Sequence, residues 1–222
     1  MEPTAVTYIP SAYREVDEAR LHDIIKTHSF ATLIVTHNNV PHISHVPLLF
    51  DKDSNTLRGH LARVNPIAKL DRNQVHNAVA IFHGPNAYIT PSWYESKKTT
   101  TKVVPTWNYI VVHVQGKLRI ETNPEWIYSN VSSLSDTHEE AIGGHWKLTD
   151  APESYVKLMT KAIVGIELNI ESILGNFKLS QEKKSDDFAG VLSGLKDAVK
   201  SDSTPNPSGS QGIAEWMERT QA

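Results

Sequence analysis

The stretch Trp107–Glu121, WNYIVVHVQGKLRIE, does most to limit how this chain can fold. Its β-branched and aromatic residues make it the longest strand in the sequence. Gly116 inside it marks a bulge or bend of the kind a closing barrel needs. Other strand-like stretches precede it. Phe30–Thr36 is short and β-branched, and His42–Phe50 and Thr56–Arg63 alternate, with the polar Asp51–Asn55 as a turn between those two. Ala78–His83 reads as a strand ending in a Gly84-Pro85-Asn86 turn, with Tyr88–Thr90 extending the sheet. Val164–Ile173 and Gly175–Gln181 read as two closing strands that a hairpin would join. Strands follow one another through tight turns, without regular βαβ units. The expected class is therefore α+β, mostly β: an antiparallel barrel with peripheral helices.

Helices are placed at the periphery by their start signals. Val16–His28 carries Leu21, Ile24 and Ile25 on one face, with Asp17 as N-cap. Asn65-Pro66 and Asn123-Pro124 each set a capping side chain before a proline at the first helical position. These predict helices to about Arg72 and Ser133. Asp150-Ala151-Pro152-Glu153 starts another, to about Ala162, and Ser185–Val199 turns Phe188, Val191, Leu192 and Leu195 to one side. The domain is expected to span residues 1–199, followed by a flexible linker at 200–211 and a short C-terminal helix at 212–222.

Composition narrows the function. Apolar residues form 39% of the 222, enough for a substantial core. The net charge of −3 lacks the basic excess that phosphate neutralisation requires of a DNA-binding domain. Lys97, Lys98 and Lys102 read as a solvated loop. The chain has no cysteine, which removes disulfides, thiolate metal sites and cysteine nucleophiles. The first twenty residues contain acids and prolines where a signal peptide is apolar, and no apolar run approaches the roughly 20 residues of a membrane span. The expected location is cytoplasmic.

The eleven histidines offer no metal motif. His42 and His45, three apart on a strand, point to opposite faces, and no HExxH occurs. Nucleophile elbows and glycine-rich phosphate loops are also missing. Three stretches are richer than a plain core needs. In Arg58–Pro66, RGHLARVNP, a glycine permits close backbone approach, an arginine offers a fork for phosphate, and Asn65-Pro66 opens a helix. Phe82–Tyr94 and Val103–Tyr109 bring Trp93, Tyr94, Trp107 and Tyr109 together with hydroxyls and an amide. Such a set can stack on a planar ring or line a dimer interface.

YIPSAYRE, RGHLARVNP, IFHGPNAYITPSWY, KVVPTWNY and FKLSQ together resemble the successive signature stretches of the PaiB-like proteins, from about Tyr8 to about Ala198. That family is described as FMN-binding negative transcriptional regulators. The resemblance implies an FMN-binding split β-barrel, similar to pyridoxamine-phosphate oxidases, with peripheral helices. It also implies a homodimer holding FMN at its interface. By analogy, Arg63 and Asn65 lie at the phosphate end, with His60 and Ala62 on the same strand. Ser44, His45, Val46 and Pro47 run beside the ring, Trp107 and Asn108 meet the ring edge, and Trp93, Tyr94 and Lys178 line a substrate pocket. The family's closing motif continues KLSQNR, whereas here Glu182-Lys183 follows Gln181. Three functions stay open: FMN-dependent oxidoreductase acting on a small molecule, transcriptional repressor with DNA as partner by family label alone, and non-catalytic flavin or haem binder.

Overall fold

A computed structural model describes residues 7–220. Its strands are β1 (Arg14–Glu15), β2 (Phe30–His37), β3 (Val40–Pro47), β4 (Leu49–Asp51), β5 (Thr56–Ala62), β6 (His76–Ile89), β7 (Thr106–Glu121) and β8 (Ile163–Lys178). Its helices are α1 (Glu18–Thr27), α2 (Lys97–Thr100), α3 (Pro124–Ala141), α4 (Glu153–Lys161), α5 (Ser185–Lys200) and α6 (Pro207–Arg219). The strand order is β3-β2-β6-β7-β8-β5-β4, with β1 added on β8. The described residues divide into two units, 22–82 with 113–173 and 7–21 with 83–112 and 174–220. Among the described residues no helix is long and apolar enough to cross a membrane.

In the first unit, the alternation of FATLIVTH becomes a strand with Ala31, Leu33 and Val35 buried on one face. Strand β2 pairs antiparallel with β3 from Phe30↔Pro47 to His37↔Val40. The two intervening residues, Asn38 and Asn39, have φ of 50° and 59°. Two left-handed residues twist the chain as the flanking strands twist, and asparagine tolerates that conformation better than most side chains. Strand β5 runs along β8 from Thr56↔Asn169 to Ala62↔Ile163. Although β3 and β5 stand far apart in the strand order, they touch. A Cβ placed at Gly59 would lie 2.9 Å from the Pro47 carbonyl oxygen and 2.8 Å from Leu48 Cδ2. The glycine in RGHL thus serves strand packing.

The asparagine caps form as their spacing predicts. Asn65 Oδ1 accepts from Ile67 N at 2.9 Å, and Asn123 Oδ1 from Glu125 N and Trp126 N at 2.8 and 3.2 Å. The elements that follow differ from expectation. The first is one 3-10 turn, Pro66–Lys69, and the second runs to Ala141 rather than Ser133.

The second unit corrects three readings. Gly84-Pro85-Asn86 is interior to β6, with no turn. Gly84 lies against Ile110 of β7, and the residues that follow form a seat for α6. A Cβ at Gly212 would lie 2.8 Å from Pro85 Cβ, and Asn206 Nδ2 donates to Asn86 O at 3.0 Å. Gly175 does not divide a hairpin either. Strand β8 is continuous, and Gly175 pairs with Glu15 of β1. The stretch expected to be linker is largely structured: α6 starts at Pro207, where Asn206 Oδ1 accepts from Gly209 N at 3.1 Å. Burial of Ile213, Trp216 and Met217 holds the helix down, and Phe177 meets the Trp216 ring edge-on at 5.3 Å.

Because glycine adopts positive φ without a Cβ clash, Asn39→Gly is expected to stabilise the protein by roughly 0.5–1 kcal/mol. A rise in thermal midpoint with unchanged circular dichroism is the expected reading. A fall would show that the Asn39 side chain contributes more than the turn geometry.

Candidate functional site

The residues expected at a cofactor phosphate all lie in the first unit. Ser44 is buried on β3, and its Oγ accepts from Asn65 Nδ2 at 2.9 Å. Asn65 therefore ties strand β3 to the segment after β5 while its other amide atom caps the 3-10 turn. Val46 is also buried, which leaves its backbone as the part a ligand can reach, and Pro47 lies beside Gly59. His45 points to the opposite face from Ser44. It is exposed, its Nδ1 is 3.3 Å from Thr32 Oγ1, and its ring lies 6.5 Å from that of Phe30.

Arg63 is exposed but held. Its Nε donates to Lys161 O and its Nη2 to Ile163 O, both at 2.8 Å, and its backbone N donates to Ala162 O at 2.8 Å. Two of the five guanidinium N–H bonds are thus committed to carbonyls after α4. The remaining three keep a fixed positive edge toward solvent, the chemistry a phosphate dianion needs. Ala62, beside it, is exposed and contributes no functional group.

His60 faces elsewhere. It lines a cavity of about 340 Å³ with Trp146, Leu148, Tyr155, Val156 and Met159. Burial pushes its imidazole below the ordinary histidine range, and its Nδ1 is buried without a hydrogen-bond partner. The structure thus separates His60 from the Ser44–Asn65 pair, although sequence places it on the same strand as Arg63.

The remaining sequence-selected residues belong to the second unit. A cavity of about 770 Å³ is lined by Tyr88, Trp93 and Trp107, by α5 and by Ser201 and residues 203–206. Trp93 sits at the 3-10 turn Pro91–Trp93, where Thr90 Oγ1 caps Ser92 N at 3.2 Å. Its indole lies flat on α5, since a Cβ at Gly194 would fall 2.4 Å from the ring. Asp187 anchors the same loop by accepting from Ser96 N and Ser96 Oγ, each at 2.8 Å. Those bonds, the backbone one foremost, hold its carboxyl below the usual range. Trp107 is 52% exposed and meets Tyr88 edge-on, with ring centroids 5.9 Å apart.

Asn108, Tyr94 and Lys178 are not brought to this cavity. Asn108 is fully buried, and its Nδ2 donates to Ser180 Oγ at 2.9 Å. Tyr94 is buried, its hydroxyl pKa raised by burial and then by Glu182. Lys178 donates to Thr106 Oγ1 and lies 5.7 Å from the Tyr13 ring centroid. The Glu182-Lys183 departure stays within the unit. Lys183 stands 5.2 Å from the Tyr94 ring centroid, and Glu182 contributes to raising the Tyr13 hydroxyl pKa, behind burial.

Sequence reasoning missed Tyr88, Asp197 and the 201–206 wall. Gly190 and Gly194, one helical turn apart, were the available signal. Small residues at that spacing allow close approach on one helix face.

Residues 7–172 match the family described as "Putative FMN-binding domain". The chain belongs to this family. Among similar proteins, an uncharacterized protein of Emericella nidulans is 36% identical over 186 residues, covering 69% of this chain and 74% of that one. The protease synthase and sporulation protein PAI 2 of Bacillus subtilis is 30% identical over 220 residues, covering 95% of this chain and 96% of that one. Among solved structures, the flavocytochrome Anf3 of Azotobacter vinelandii superposes with a TM-score of 0.57 at 11% identity, covering 85% of this chain and 82% of that one. The fold is the mostly antiparallel split barrel that the resemblance implies, and its strand order runs open from β3 to β4. FMN is the cofactor of the family to which the chain belongs.

His60 provides a pH test. Its pKa is lowered by folding, so the folded state favours the neutral ring. The stability this contributes is complete above the unfolded value near 6.5 and is lost as pH falls through the lower folded value. His60→Gln removes that titration. Its urea midpoint is expected to fall less than the parent's between about pH 7.5 and about pH 5.5. Parallel falls in both proteins would assign the acid sensitivity to other groups.

Proposed function

We propose that this protein binds FMN between two copies of the chain and uses the flavin for redox chemistry on a small molecule. The observation that carries the reading is the family match spanning the segment that holds Arg63, Asn65 and Ser44. The residues present fit the phosphate of such a cofactor. Arg63 offers a guanidinium edge already oriented by the Lys161 and Ile163 carbonyls, so little side-chain entropy is lost on binding. Asn65 and Ser44 steady the segment next to it, and the backbone of Ser44–Pro47 is the candidate to run along the ring. When bound, the isoalloxazine supplies the electron chemistry, and the protein supplies orientation and exclusion of water.

A second copy is supported by the outward face of the β2–β3 hairpin. Phe30 is 67% exposed and Ile43 59%, with His45 and Pro47 on the same side. An apolar face next to the Ser44–Pro47 backbone suits burial by an identical subunit. Asn108, Tyr94 and Lys178 are given no part in this reading, because their polar groups are buried or already engaged.

The purified protein is expected to carry flavin absorbance that NADH or NADPH bleaches, and to sediment as a dimer. Arg63→Ala is expected to weaken FMN retention by about 1.5–3 kcal/mol through loss of a charge-assisted contact. Arg63→Gln, which keeps an N–H donor for the Lys161 carbonyl but no charge, separates phosphate binding from local stability. FMN affinity equal to the parent's in both variants would remove Arg63 from the site.

A further inference from the structure

The cavity of the second unit has a charge pattern opposite to that of the Arg63 segment. Among the described residues, Asp197 is the one charged residue in its lining, and no lysine, arginine or histidine contributes. The carboxylate has no described ion pair. Its polar contact is Ser193 Oγ, 3.4 Å from Oδ2, and neighbouring Lys196 is occupied by Glu218. Asp197 also stands in the last turn of α5, a 16-residue helix whose C-terminal end is its negative end. Lys200 in the same turn does not line the cavity.

Another part of the lining is aromatic. Tyr88 and Trp107 stand at 71° to each other, so their faces form a corner. Trp93 is fixed against Gly194 on α5. Aromatic faces are negative in their quadrupole and attract cations. The third wall, residues 201–206, is pinned. Ser203 N donates to Ala198 O at 3.0 Å, Ser201 Oγ to Asp197 O at 2.7 Å, and Asn206 closes onto Asn86. A site formed of ring faces, hydroxyls, one unpaired carboxylate and a helix C-terminus repels anions and suits a positive charge on an apolar body.

We propose that this cavity is a binding site for an organic cation, a protonated or quaternary amine carrying an apolar or aromatic group. Asp197 acts as counter-ion, and Tyr88, Trp93 and Trp107 form the cage. None of the residues assigned to FMN phosphate lines this cavity, and the inference goes beyond that reading.

Benzyltrimethylammonium, benzyl alcohol and benzoate serve as probes of matched shape and differing charge, followed by calorimetry and by tryptophan fluorescence on the full chain. The cation is expected to bind saturably and benzoate not to bind. Asp197→Asn is expected to weaken the cation about tenfold or more while leaving benzyl alcohol unchanged. Trp107→Leu is expected to weaken the cation about three- to tenfold. The proposal is overturned if the cation does not saturate, if benzoate binds as tightly, or if Asp197→Asn binds the cation like the parent. Visible absorbance of the same samples gives flavin content, so absence of flavin counts against the FMN reading and leaves the cage to the titration.

Discussion

Three long neighbouring strands, β6, β7 and β8, impose the constraint from which the rest of the structure follows. Each backbone N–H and C=O along 14 to 16 residues needs a partner. Laying the strands side by side meets that need and leaves two flanks open. On one side β2 extends the sheet and carries β3; on the other, β5 and β1 join β8. The candidate sites sit on these flanks and at the ends of the long strands. The Ser44–Asn65 bond forms where β3 meets the segment leaving β5. Trp93 and Trp107 stand just after β6 and just inside β7.

Arg63 is a surface arginine whose side chain is held in advance. An unrestrained guanidinium must be ordered when a ligand arrives, and that ordering opposes binding. Here the carbonyls of Lys161 and Ile163 hold it beforehand. Those carbonyls are available because α4 ends at Lys161 and β8 begins two residues later. The same junction therefore fulfils a structural need, unsatisfied acceptors at a helix end, and presents three N–H groups outward.

Strand and helix existence was legible in the sequence wherever periodicity was strong. FATLIVT, WNYIVVHVQGKLRIE and the Phe188–Leu195 face gave β2, β7 and α5. The asparagine caps at Asn65 and Asn123 were legible because capping needs one side chain and one spacing. Glycine misled. Gly59, Gly84 and Gly175 look alike in sequence, as breaks or approach points for a ligand, yet each admits a neighbouring element: Leu48 and the Pro47 carbonyl, Ile110, and Leu21. Local reading cannot tell space left for another part of the chain from space left for a turn. The cavity was half legible for the same reason. Trp93 and Trp107 stand out as aromatics, whereas Asp197 looks like any solvated helix acid until the fold brings it into the same cavity lining. Asn108 was chosen as an edge amide, but its neighbours in β7 commit it to the interior.

The wall at 201–206 alters what the end of this chain means. Composition presents it as a disposable tether: two serines, an aspartate, a threonine, a proline and an asparagine. Its hydroxyls and amide instead bond to Ala198, Asp197 and Asn86, and the helix beyond it shields Phe177 and Pro85. A chain cut after Lys200 would lose one side of a chamber and uncover part of the sheet. Related proteins whose tails differ in this stretch would then differ in the shape of that chamber, even with identical strands.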